Sequence, residues 1–169
     1  LLAADPRTLE GLRWNRSALR LAEAFWPGPL TLVLRAEPGR FPERVTARDG
    51  TVAVRWSPHP GVEAIVDALG EPITSTSANL PGAPPVTRAD EARALLTSRL
   101  ARDGNAGSGV CDEGGGQNGA DDVWLLDGGT LPASRPSTIV DCAGDRPRIL
   151  RCGGVSRESL RTVVGEIDG

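Results

Sequence analysis

Pro72-Ile73-Thr74-Ser75-Thr76-Ser77-Ala78-Asn79, followed at once by Leu80-Pro81-Gly82, places four consecutive hydroxyl residues and an asparagine where a short apolar run meets a Pro/Gly loop. The segment from Pro72 to Ser77 reads as a strand. Its end would present small donors and acceptors in a fixed array, which suits a carboxylate, a phosphate or a ribose. The alternative is an edge strand with its polar face in water, since Thr favours strands and Ser favours turns.

Working outward, Leu30-Thr31-Leu32-Val33-Leu34 is too short and too β-branched for a helix and reads as a strand. Thr51-Val52-Ala53-Val54-Arg55-Trp56 reads as another. Ser17 to Trp26 carries Leu19, Ala22 and Phe25 at helical spacing and stops at Pro27-Gly28-Pro29. Pro58-His59-Pro60-Gly61 is a turn feeding a helix from about Val62 to Leu69, closed by Gly70. Thr87 is the expected N-cap of a helix running to about Leu100, with Asp90 in its first turn. Residues 103–120 are glycine-rich and polar and read as a flexible insertion. Further strands are expected at Val123–Asp127, Ser137–Asp141 and Arg148–Arg151. Ser156 and Glu158 open a final helix. Strands and helices mix without strict alternation, so the expected fold class is α/β, bordering on α+β: a sheet of mixed direction with helices on one face.

The 169 residues suit one domain with an aliphatic core, since there are four Trp, two Phe and no Tyr. No apolar run is long enough to span a bilayer. Cys111, Cys142 and Cys152 lack CxxC spacing and read as reduced thiols of a cytoplasmic protein, Cys142 and Cys152 as core residues. One His and scattered carboxylates offer no metal-ligand spacing. There is no Met, so the chain reads as a fragment, a processed product or a gene model cut short. There is no Lys either, so all 19 basic residues are Arg. Residues 61–134 hold four Arg against eleven acids, a poor surface for nucleic acid, whereas residues 1–60 hold nine Arg against six acids.

Arg55 follows an apolar strand and is suited to bidentate capture of a carboxylate or phosphate, with a surface Arg as the alternative. Ser137 and Thr138 start a strand after Arg135-Pro136. Arg151 ends one before Cys152-Gly153-Gly154, where backbone could approach a ligand. His59, between two prolines, is expected to shape or cap its turn, and no Ser-His-Asp constellation is indicated. The residues describe a site that binds and aligns anions without an obvious protein nucleophile.

Five segments in order resemble the YrdC-like family, the threonylcarbamoyl-AMP synthases of tRNA modification. They are Phe25-Trp26-Pro27-Gly28-Pro29-Leu30-Thr31, Thr51-Val52-Ala53-Val54-Arg55, Ile73 to Asn79 with Pro81-Gly82, Pro136 to Asp141, and Ile149-Leu150-Arg151. The resemblance implies a single YrdC/RibB-like domain over 1–169, N-terminally incomplete, built on a twisted mixed sheet with a positively charged cavity. It implies the making of threonylcarbamoyl-adenylate and pyrophosphate from L-threonine, bicarbonate and ATP, and binding of double-stranded RNA. A partner transferase complex then carries the threonylcarbamoyl group to tRNA. By similarity Arg55, Ser75 and Ser137 would bind threonine. Thr51, Ser77, Asn79, Pro85 and Arg151 would lie along ATP, and Mg²⁺ would be held mainly by phosphates. The family also has a Lys-x-Arg segment that holds the triphosphate; with no Lys, this chain lacks it, and alone is expected to be weak or inactive. A competing reading is a non-catalytic truncated paralogue binding nucleotide or structured RNA, in which Arg40, Arg44 and Arg48 share a helical face. A hydrogenase-maturation carbamoyl-adenylate domain is a third, without its expected cysteine motifs.

Overall fold

The computed structural model describes residues 1–102, 110–111, 123–132 and 134–169. After a 3-10 turn at Pro6–Thr8, the elements are β1 (Leu12–Arg13), α1 (Arg16–Phe25), β2 (Leu30–Ala36), β3 (Thr51–Val54) and α2 (Pro60–Leu69). Then follow α3 (Ala89–Arg102), β4 (Val110–Cys111), β5 (Val123–Trp124), β6 (Thr138–Asp141), β7 (Arg148–Arg151) and α4 (Arg157–Val164). Residues Leu1–Ser75 and Ser134–Gly169 form one compact unit, and Thr76–Ala133 form a second.

In the first unit β2 is the spine of a five-stranded mixed sheet. Its period-2 pattern buries Leu30, Leu32, Leu34 and Ala36 on one face and turns Thr31, Val33 and Arg35 to the other. Along one edge β2 pairs antiparallel with β3, from Leu32 opposite Val54 to Arg35 opposite Thr51. Along the other it runs parallel to β6, from Leu30 opposite Thr138 to Val33 opposite Asp141, and meets β1 antiparallel at Leu12 and Arg13. β7 closes the far side antiparallel to β6, with Leu150 as an extra residue in a bulge.

The buried face packs on two helices. Asn15 caps α1 by accepting the Ala18 N–H at 2.8 Å, and its amide donates to the Cys142 carbonyl at 2.8 Å, tying the helix start to the end of β6. Ala18, Leu21 and Ala22 turn inward, and Leu160 of α4 is fully buried with them. The Trp26 indole N–H donates to the Leu30 carbonyl at 2.7 Å, turning the chain from α1 into β2. Each fully buried leucine stabilises the fold by roughly 1.5–3 kcal/mol. Ser156 caps α4 through the Ser159 N–H, with Glu158 in the first turn as expected. His59 caps α2, its Nδ1 accepting the Gly61 N–H at 3.1 Å, and Gly70 closes that helix at φ +67°.

Several expectations are corrected. Pro72–Ser77 is no strand: Ile73 and Leu2 exchange a single pair of backbone hydrogen bonds, and beyond Ile73 the chain leaves the sheet. Proline at 72 has no N–H to extend the ladder. Leu19 is 46% exposed: the inner stripe of α1 runs through Ala18, Leu21 and Ala22, so of the three expected apolar positions Ala22 is buried and Phe25 packs partly buried against the core. α3 starts at Ala89, after Thr87, whose N–H takes the Glu91 carboxylate instead. The strand expected over Val123–Asp127 is two residues long. Arg40, Arg44 and Arg48 lie in turns, so the competing RNA reading loses its helical arginine face. Cys152 is exposed, whereas Cys142 is buried. The second unit contains α3 and the parallel pair β4–β5; the expected insertion at 103–120 lies, apart from Val110 and Cys111, outside the described residues. Among the described residues no helix is long and apolar enough to cross a membrane.

Thr138 is the best-connected buried polar residue of the sheet. Its hydroxyl donates to the Val155 carbonyl at 2.7 Å and accepts the Gly153 and Val155 N–H groups at 3.0 Å. Thr138→Val keeps the shape and strands those three groups, each costing about 1–3 kcal/mol when buried and unpaired. Urea melts should show an unfolding free energy lower by about 3 kcal/mol, with Thr138→Ser recovering most of it.

Candidate functional site: a cationic cavity on the open sheet face

The face of the sheet away from α1 and α4 carries a cavity of about 280 Å³. It is lined by Thr31 of β2, Ala53 of β3, Arg55 and Ser57 just beyond β3, Ser75, Ser137 just before β6, Ile139 of β6 and Arg151 of β7, with Leu1 and Leu2 at its edge. The register explains the grouping: residues that alternate with Leu30, Leu32, Val52, Val54 and Val140 face away from the core.

Arg55 is fixed from both ends. Its backbone pairs with the Leu1–Ala3 segment, the N–H donating to the Leu1 carbonyl at 2.9 Å. Its Nε–H donates to the Gly28 carbonyl at 3.0 Å, which leaves the terminal nitrogens for the cavity. Gly28 is required there, because a Cβ would sit 2.2 Å from the Phe25 carbonyl oxygen. The Gly28 N–H donates in turn to the Trp56 carbonyl at 3.0 Å. The Phe25–Thr31 segment is thus the bracket that holds the arginine.

Arg151 reaches back over the start of β6. Its Nε and Nη2 donate to the Ser137 carbonyl at 3.1 and 2.8 Å, and Nη2 also donates to Ser137 Oγ at 3.1 Å. Gly153 and Gly154 let the chain fold against that strand, since a Cβ on Gly153 would lie 2.1 Å from the Pro136 carbonyl oxygen. The sequence suggested that this loop lets backbone approach a ligand; what it approaches is its own Pro136 and Ser137.

Among the described residues neither arginine pairs with a carboxylate. Arg55 is half-buried, and its pKa is lowered first by burial and then by the positive charge of Arg151. Two like charges facing one cavity without a counter-ion are an unsatisfied electrostatic demand, which an anionic ligand would meet. The hydroxyls of Ser57, Ser75, Ser137 and Thr31 add directional donors and acceptors.

Of the residues expected to form the site, the structure brings Arg55, Ser75, Ser137 and Arg151 into this cavity. Thr51 lies outside it, at the other end of β3, buried with its hydroxyl donating to Asp49 at 2.7 Å. Ser77, Asn79 and Pro85 belong to the second unit. There Ser77 donates to the Asn79 side-chain carbonyl, and the Asn79 amide donates to the Leu80 and Ala83 carbonyls at 3.0 Å, pinning the Pro81-Gly82 turn. Pro85 is exposed. Sequence reasoning missed Thr31, Ala53, Ser57 and Ile139 as lining residues, although the outward phase of β2 contained the signal for Thr31. Among the described residues no group of three or more His, Cys, Asp and Glu could hold a metal ion.

Comparison with known proteins supplies the context. The family model for Sua5, YciO and YrdC proteins, described as "Telomere recombination", matches residues 1–112. The threonylcarbamoyl-AMP synthase of Bacillus subtilis (strain 168) is 35% identical over 166 residues, 97% of this chain and 42% of that protein. The crystal structure of P. abyssi Sua5 complexed with L-threonine superposes with a TM-score of 0.77 at 30% identity, over 99% of this chain and 43% of that one. E. coli YciO shares the fold, with a TM-score of 0.65 at 24% identity, over 89% of this chain and 62% of that one. The chain therefore spans about two fifths of the Bacillus subtilis and P. abyssi proteins.

Burial pushes the Cys142 thiol up to about 12, with nearby Asp141 adding to the effect, so it stays protonated through the neutral range and is no nucleophile. Maleimide labelling at pH 8, mapped by mass spectrometry, should modify Cys152 within minutes and leave Cys142 unmodified until the protein is unfolded. Labelling of both thiols in the folded protein would contradict the packing described.

Proposed function

The chain belongs to the Sua5/YciO/YrdC family, and on that premise we propose that it forms the substrate-binding core of a threonylcarbamoyl-AMP synthase. The reaction joins L-threonine, bicarbonate and ATP. The threonine nitrogen takes up the carbon of bicarbonate with loss of water, giving a carbamate. A carbamate oxygen then bonds to the α-phosphorus of ATP as the bond to the β-phosphate breaks, releasing pyrophosphate. Such a displacement needs alignment and charge neutralisation more than a protein nucleophile.

The observation that carries the reading is the pair of arginines over a hydroxyl-lined cavity, without a counter-ion among the described residues. Arg55, held by the Gly28 carbonyl, takes the threonine carboxylate with its terminal nitrogens. Ser75 and Ser137 hydrogen-bond the amino acid. Arg151 stands where it can neutralise charge on the phosphate side. Thr51, Ser77, Asn79 and Pro85 along the nucleotide are part of the proposal, as are bicarbonate as the carbon source and a cytoplasmic setting. So are double-stranded RNA binding and delivery of the product to tRNA through a transferase complex. Mg²⁺ held mainly by the phosphates of ATP is likewise part of the proposal.

The test is threonine-dependent pyrophosphate release from ATP and bicarbonate by the intact natural protein that contains this chain. Release is expected, and its absence from a well-folded preparation would overturn the synthase reading. Arg55→Ala should weaken threonine binding by about 2–5 kcal/mol, the cost of leaving a desolvated carboxylate unpaired. An unchanged threonine affinity by calorimetry would remove Arg55 from its assigned role.

A further inference from the structure

Thr31 closes the Phe25–Thr31 segment, and its hydroxyl, one of four around the cavity, has a specific partner. In the structure Thr31 Oγ1 lies 2.8 Å from Ser137 Oγ, across the parallel β2–β6 junction. Ser137 is buried, and its Oγ already accepts from Arg151 Nη2 at 3.1 Å. No other hydrogen bond of the Thr31 hydroxyl is seen among the described residues.

A serine hydroxyl has two acceptor lone pairs and one proton. Arg151 fills one lone pair. If Thr31 donates to the second, the Ser137 proton is left with one place to go, an acceptor in the cavity. This is the arrangement in which Ser137 makes all three of its hydrogen bonds, and donation from two sides polarises its O–H toward the ligand. Without the Thr31 hydroxyl, Ser137 keeps a vacant lone pair and regains freedom to rotate.

We infer that Thr31 is a positioning residue: it holds the Ser137 hydroxyl so that its proton is offered to an anionic oxygen bound between Arg55 and Arg151. This deepens the function proposed above and rests on that reading for the identity of the ligand, L-threonine. The geometry itself requires only a carboxylate or phosphate oxygen.

Two probes separate the two claims. The intact natural protein and its Thr31→Val and Thr31→Ser variants are titrated by calorimetry with L-threonine and, separately, with inorganic phosphate. Thr31→Val is expected to weaken binding roughly tenfold, the scale of one lost hydrogen bond. Thr31→Ser, which keeps the hydroxyl, should restore affinity to within roughly twofold of the parent, and a merely structural role would not give that rescue. Thermal melting checks the fold, and Thr31→Ala serves as the second hydroxyl deletion if the valine variant melts early. Equal affinities for the parent, Val and Ala proteins would overturn the inference, as would failure of the parent to bind either probe. If phosphate binds and L-threonine does not, the synthase reading falls, and the phosphate affinities of the variants alone decide the role of Thr31.

Discussion

Two guanidinium groups held over one cavity, with no carboxylate paired to either among the described residues, are an expense that the fold must carry. Arg55 is half-buried, and the field of Arg151 acts against its charge. The surrounding structure reads as the means of bearing that cost. The Gly28 carbonyl meets the Arg55 Nε–H, the Ser137 carbonyl meets Arg151, and neither contact removes the positive charge. Backbone carbonyls lower the energy of the cations and leave their net demand for an anion intact, which an acidic side chain would have quenched.

Those carbonyls are available only because of local backbone choices. Gly28 follows α1 so closely that any side chain would strike the Phe25 carbonyl, and Gly153 is pressed as hard on Pro136. The Trp26 indole fixes the exit from the helix by bonding to Leu30. The Thr138 hydroxyl collects two N–H groups and a carbonyl of the Gly153–Val155 loop. The buried face of the sheet supplies stability and the open face carries the cavity; β2 joins them by strict alternation.

The elements best read from the sequence were those whose signals are local. The short, β-branched run Leu30–Leu34 gave β2, the proline turn with His59 gave the start of α2, and Ser156 with Glu158 gave α4. Arg55, Ser137 and Arg151 were singled out by their places at strand ends and Ser75 as part of the hydroxyl run, and the resemblance to a family gave each its role, because no property of an isolated serine marks it as a ligand. What could not be read depended on partners far along the chain. Whether Pro72–Ser77 forms a strand is decided by Leu2, which within that segment pairs with Ile73 alone. The buried stripe of α1 was read through Leu19 where it runs through Ala18 and Leu21, a choice set by packing against β2 and α4. Thr31 was visible as an outward residue, but its bond to Ser137 is a fact of the β2–β6 register.

That register also has a kinetic side. Thr31 and Ser137 are 106 residues apart, and the whole second unit is synthesised between them. Arg55 emerges early, joined to β2 and β3, while Ser137 and Arg151 arrive only with the last strands. Closing so long a loop costs entropy that grows slowly with length but must be met before the parallel pairing gives any return. A growing chain therefore holds a lone cation on an open edge until β6 docks. The cavity is a property of the finished sheet, and an anion that bridged its early and late halves would draw that final docking step toward completion.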